Sequence, residues 1–167
     1  TMLKHGCFQD LDFALMTHAG PNTTVDIKSL AMRSAYVRYH GRAAHAAIKP
    51  EDGRSAVDGL MLAIHGFELL REHVRSHVRL HYAIRKTGLS ANVVPDFAEA
   101  EFVVRSASSA YLEQVWSRAE KIFRGAADMS ETNVEWELVS DCQSKVPVYR
   151  LNQVLTDHAA QLDAPQR

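Results

Sequence analysis

From residue 30 onward the apolar positions of the chain switch between two periods. Residues 30–40 alternate, with Ala35, Val37 and Tyr39 on one side and Tyr36, Arg38 and His40 on the other, which predicts a strand with one buried face. Across 53–74, Ala56, Leu60, Ala63, Ile64, Phe67, Leu70 and Val74 recur every three or four residues, the spacing of an amphipathic helix. Glu51 and Asp52 stand at its electropositive N-terminal end, and Asp52 is the expected cap. Val78, Leu80, Tyr82 and Ile84 then alternate with Arg79, His81, Ala83 and Arg85, a second strand that stops at Thr87 and Gly88. After Pro95 the alternation resumes, with Ala98, Ala100, Phe102 and Val104 set against Glu99, Glu101, Val103 and Arg105.

The second helix is predicted over 108–127, capped by Ser108 or Ser109, with Leu112, Val115, Trp116, Ala119, Ile122, Phe123 and Ala126 along one stripe. Val134, Trp136 and Leu138 alternate with Glu135 and Glu137 to give a fourth strand. The order β-α-β-β-α-β predicts an α+β, ferredoxin-like domain: a four-stranded antiparallel sheet with both helices on one face, the first and third strands central. Its expected core is Val37, Leu60, Phe67, Leu80, Tyr82, Phe102, Trp116, Phe123, Trp136 and Leu138.

The flanks do not fit that domain. Residues 11–16 are a short, nearly continuous apolar run of the kind found in a strand buried on both faces, and they end in a loop that holds His18. Residues 22–29 are polar and read as a linker. The chain leaves the domain through Val146 and Pro147 and enters a predicted short helix over 151–162. Both ends read as pieces of a longer protein.

Composition narrows the function classes. A hydrophobic content of 46% over 167 residues supports one well-buried domain with extra elements. A net charge of -1 gives no basic footprint for nucleic acid or an anionic membrane, so neither is an expected partner. No apolar run approaches the roughly 20 residues of a membrane span. Cys7 and Cys142 lie far apart without metal-binding spacing, so they read as free thiols of a reducing cytoplasm.

The candidate chemistry centres on 39–59, YHGRAAHAAIKPEDGRSAVDG. Small residues on both sides of His45 leave its imidazole uncrowded at a strand end, where a rigid scaffold can aim it outward. A lone histidine there is also compatible with an ordinary surface or core residue, because His titrates near neutral pH whether or not anything uses it. Taken with RLHYAIRKTG, NVVPDFAEAEFVVR and MSETNVE, the stretch resembles the dimerisation domain of the dinuclear-metal aminoacylase and carboxypeptidase family, peptidase family M-twenty. Within it, the likeness is to amidohydrolases of the aminobenzoyl-glutamate hydrolase type.

The resemblance implies a domain inserted between two halves of a metal-binding catalytic domain. Residues 1–29 would be the tail of the first half and a linker, 30–140 the dimerisation (lid) domain, and 141–167 the start of the second half. It implies a homodimer formed through the lid and two divalent ions, zinc or manganese, in the complete enzyme. The implied substrate is a small amide: an acyl-amino acid, a dipeptide or aminobenzoyl-glutamate. By the same resemblance His45 steadies the oxyanion in the active site of the dimer partner, Asn92 and Arg105 bind polar and carboxylate groups of the substrate, and His18 is a metal ligand. On the residues alone, Asn92 also reads as a turn residue before Pro95. Arg105 reads equally as a strand charge paired with Glu99 or Glu101, and His18 as a loop histidine. The family's His-x-Asp and Glu-Glu motifs do not occur in the chain, so these 167 residues are expected to bind no metal tightly and to be inactive alone. The alternative is a free-standing ferredoxin-like binding or oligomerisation module.

Overall fold

A computed structural model describes residues 2–20, 24–25 and 29–162. The chain divides into two compact units, Lys28–Pro147 and the flanking pair Thr1–Ile27 with Val148–Arg167. Most of the predicted linker, 22–29, lies outside the described residues.

The larger unit runs β1 (Ala31–His40), β2 (Ala44–His45), α1 (Ala56–Glu72), β3 (Arg79–Lys86), β4 (Val93–Val94), β5 (Phe97–Ser106), α2 (Ser109–Ser130) and β6 (Asn133–Cys142). Four strands form an antiparallel sheet in the order β3-β5-β1-β6, so the first and third predicted strands are central as the pattern requires. Both helices pack on one face of it and against each other. The fold is the ferredoxin-like arrangement, with the two-residue strands β2 and β4 added as a separate ladder.

The core sits between sheet and helices. Val37, Leu60, Phe67, Leu80, Phe102, Trp116 and Phe123 are all buried, and Phe102 packs its ring against Phe67 at 5.0 Å and Phe123 at 4.9 Å. Tyr39 is buried with them and donates its hydroxyl to the carbonyl of Phe123 at 2.9 Å. Burial, with no charged partner, raises the Tyr39 phenol far above its ordinary value, so it stays a neutral donor.

Several expectations need correction. Tyr82 and Leu138 point toward the helix layer but are 37% and 52% exposed, because they lie on the two edge strands, where the paired helices no longer cover the sheet. Trp136, on the same edge strand as Leu138, is only half-buried. Residues 11–16 form no strand: strand structure needs a neighbouring ladder, and no strand among the described residues pairs with them. The cap of α1 is Ser55, whose hydroxyl accepts from the Asp58 amide at 3.2 Å, because the helix starts at Ala56 and Asp52 belongs to a preceding 3-10 turn. Ser108 caps α2 in the same way, accepting from Tyr111. In the flanking unit the predicted C-terminal helix forms as α3 (Tyr149–Gln161).

Candidate functional site

After β1 the chain is pinned by main-chain bonds on both sides. Gly41 donates to the Asp96 carbonyl at 2.8 Å, Arg42 and Arg54 exchange amides for carbonyls at 2.8 and 2.9 Å, and Ala56 donates to Pro95 at 2.8 Å. The approach is so close that a Cβ on Gly41 would lie 1.9 Å from the Arg54 carbonyl oxygen, which explains the glycine. Arg54 also reaches Glu131 at 2.7 Å, tying the same loop to the left-handed residue that ends α2.

That pinned loop presents His45. Ala44 and His45 pair with Val94 and Val93, and the next residue, Ala46, donates its amide to the Asn92 carbonyl at 3.0 Å. Two segments nearly fifty residues apart thus bring His45 and Asn92 to the same short ladder. This ladder escaped the sequence pattern because two residues a side are too few to show a period; the only signal was the run of small residues around His45.

The imidazole is exposed, and the Ala47 amide donates to its Nδ1 at 3.2 Å. A nitrogen that accepts a hydrogen bond carries no proton, so in the neutral ring the proton is on Nε2. His45 therefore offers an outward N–H donor on a loop held by backbone bonds. The Asn92 Oδ1 accepts from the Ser90 hydroxyl, which leaves the amide NH2 as its free donor. Beside the ladder, the 85–97 loop encloses a groove of about 730 Å³.

Arg105 is not part of this cluster. It sits on the helix-free face at the far end of β5, which pairs His40 with Phe97 at one end and Met32 with Arg105 near the other. At ~3.3 Å per residue the eight-residue path from Phe97 spans about 26 Å. Neither carboxylate named as its alternative partner pairs with it. Glu99 is taken by Arg38 at 2.7 Å and Arg85 at 3.4 Å, the latter aimed inward by a bulge in β3. Burial of Glu99, 6% exposed, opposes its ionisation, but the Arg38 hydrogen bond and the charges of Arg38, Lys86 and Arg85 outweigh that and hold its carboxyl below the ordinary glutamate range.

His18 belongs to the flanking unit, where its exposed ring donates from Nδ1 to the Ala19 carbonyl at 2.7 Å and keeps the Nε2 lone pair available. Among the described residues no group of three or more His, Cys, Asp or Glu side chains is gathered to hold a metal ion. One histidine does not fit a dinuclear centre, and no chemical step is assigned here to metals. No helix among the described residues is long and apolar enough to cross a membrane.

Residues 30–129 match the family profile of the peptidase dimerisation domain. The chain is 36% identical over 170 residues to one of the two subunits of the p-aminobenzoyl-glutamate hydrolase of Escherichia coli, a match covering 99% of the chain and 35% of that protein. It is 28% identical to the Xaa-Arg dipeptidase of Mus musculus, covering 96% of the chain and 38% of the relative. Among solved structures, the aminobenzoyl-glutamate utilization protein from Klebsiella pneumoniae superposes with a TM-score of 0.67 at 29% identity, over 79% of this chain and 34% of the other. The chain spans little more than a third of the length of these curated relatives.

Proposed function

The chain belongs to the M-twenty peptidase dimerisation-domain family, and from that premise we propose that it is the lid and dimerisation segment of a longer, metal-dependent amidohydrolase or peptidase. The proposed substrate is an acyl-amino acid, a dipeptide or aminobenzoyl-glutamate, cleaved at its amide bond. The relatives named for aminobenzoyl-glutamate and dipeptide hydrolysis support this class. In this reading 1–29 and 141–167 are parts of the two halves of the catalytic domain. The two divalent ions, zinc or manganese, are held mostly by residues elsewhere, with His18 as one ligand through its free Nε2. The exposed free thiols of Cys7 and Cys142 fit a reducing cytoplasm.

The observation that carries the reading is the pairing of His45 and Asn92 on one rigid ladder. As an amide carbonyl becomes tetrahedral, negative charge collects on its oxygen, and an N–H donor fixed in advance stabilises that charge without reorganising. His45 Nε2–H has this role, acting in the active site of the dimer partner, and the Asn92 amide binds a neighbouring polar group of the substrate. Arg105 binds a substrate carboxylate, for which a planar guanidinium is the best-matched side chain. The partner is a second copy, joined through the exposed edge of β3 to give a continuous eight-stranded sheet across a two-fold axis.

The test is to assay the product of the complete reading frame, and this 167-residue chain, on acyl-amino acids and aminobenzoyl-glutamate with added zinc or manganese. The reading predicts metal-dependent hydrolysis by the complete product and none by the chain alone. A complete product that binds partners or oligomerises but hydrolyses none of these amides would favour the free-standing module instead.

A further inference from the structure

The helix-free face of the sheet treats its arginines in two ways. At the β1 C-terminal end every cation has an acid: Arg38 meets Glu99 and Glu137, Arg85 meets Glu99, and His40 meets Glu135 at 3.2 Å. At the opposite end Arg79 of the edge strand lies directly across from Arg105 of β5. Their strand neighbours on that face are Met32, Ser34, Val103 and His81, with no carboxylate among them. Neither arginine has an acidic partner among the described residues. Arg79 is anchored through one guanidinium nitrogen to the carbonyls of Ser76 at 2.6 Å and Val78 at 2.9 Å. Like charges directly opposite on a sheet destabilise it, so the fold gains nothing from this pair by itself.

We infer that Arg79 joins Arg105 in a two-arginine subsite for a dicarboxylate, one carboxylate for each guanidinium. The inference rests on the reading of Arg105 as a carboxylate-binding residue and adds Arg79 as the residue that sets preference for a second negative charge. Cross-strand partners hold their Cβ atoms about 5 Å apart, comparable with the separation of the two carboxylates of a glutamate-like group. Bound dianion removes the repulsion between the guanidiniums, so affinity comes from relief of an unfavourable pairing as well as from new charge-assisted bonds. The anchoring of Arg79 to the 76–78 turn limits its rotamers and leaves its remaining N–H groups for the ligand.

The test uses the complete enzyme, with glutarate and butyrate as competitive inhibitors that lack an amide to cleave. The wild type is expected to bind glutarate at least ~10-fold more tightly than butyrate. Arg79→Gln should erase that preference with kcat unchanged, while Arg79→Lys keeps part of it. Arg105→Gln should weaken both inhibitors. Circular dichroism spectra matching the wild type confirm that the variants fold; if Arg79→Gln does not, the Arg79→Lys comparison and the ratio for the wild type decide. If Arg79→Gln retains the glutarate preference, or the wild type shows none, the inference about Arg79 is wrong while Arg105 keeps its role. If Arg105→Gln also leaves both inhibitors unaffected, the carboxylate reading itself fails.

Discussion

Ala46 donates its amide to the Asn92 carbonyl across 3.0 Å, which ties the loop after β1 to the loop after β3 one residue beyond His45. The geometry of the candidate site therefore depends on backbone contacts that no side chain announces. Gly41→Ala is the sharpest probe of it. The added Cβ would lie 1.9 Å from the Arg54 carbonyl oxygen and 2.9 Å from the Ala56 nitrogen, so main chain must move. The expected cost is about 2 kcal/mol in denaturant unfolding. A variant as stable as the wild type would mean the loop is not held as described.

The second prediction separates covered from uncovered apolar positions. Phe102 is fully buried between Phe67 and Phe123, and Phe102→Ala should cost about 3 to 5 kcal/mol. Leu138, with the same phase in its own strand, is 52% exposed, and Leu138→Ala should change stability by less than ~0.5 kcal/mol in the monomer. Equal losses at the two positions, measured by urea unfolding, would contradict the assignment of β6 as an uncovered edge.

These two positions also mark what the sequence can and cannot convey. Alternation tells which side of a strand a residue faces, and it placed Val37, Phe102 and Val104 correctly because their strands are central and covered by both helices. It carries no information on how far the helix layer extends, so Tyr82 and Leu138 were expected inside. The run at 11–16 has a strand's composition but no neighbour to bond with among the described residues. At the site, the residue types around His45 were readable, whereas its Nδ1 contact with Ala47 and the ladder to Asn92 are tertiary facts. Arg105 was expected to meet Glu99 or Glu101 if it were structural; Arg38 and Arg85 take Glu99 instead, because Arg38 is its direct cross-strand partner and a bulge redirects Arg85.

Glu99 gives a pH prediction. Its folded-state carboxyl is held below the ordinary range, so the folded protein binds fewer protons there than the unfolded chain. The stabilisation is present above the unfolded pKa of about 4.3 and is lost as pH falls through the lower folded value. Glu99→Gln should flatten this acid limb in thermal melts taken between about pH 6 and 3. An unchanged acid limb would remove Glu99 from the linkage.

The dimer proposal concerns the β3 edge, where Ile84 is 56% exposed and Tyr82 37% exposed. Because Ile84 adds little to the monomer's core, Ile84→Asp should leave the fold intact while shifting sedimentation from dimer to monomer at micromolar concentration. A wild-type chain that sediments only as monomer, or an Ile84→Asp variant still dimeric, would place the interface elsewhere.

The central claim is that His45 donates to the developing oxyanion without holding metal, and the most direct measurement is the turnover rate of His45→Ala in the complete enzyme, taken together with its metal content. Loss of one such donor is predicted to lower kcat by about a hundredfold or more with metal content unchanged. Arg105→Ala in the same assay should act chiefly on KM, since a carboxylate clamp binds ground and transition states alike. Unchanged kcat in His45→Ala, or a fall that tracks lost metal, would contradict the role given to His45.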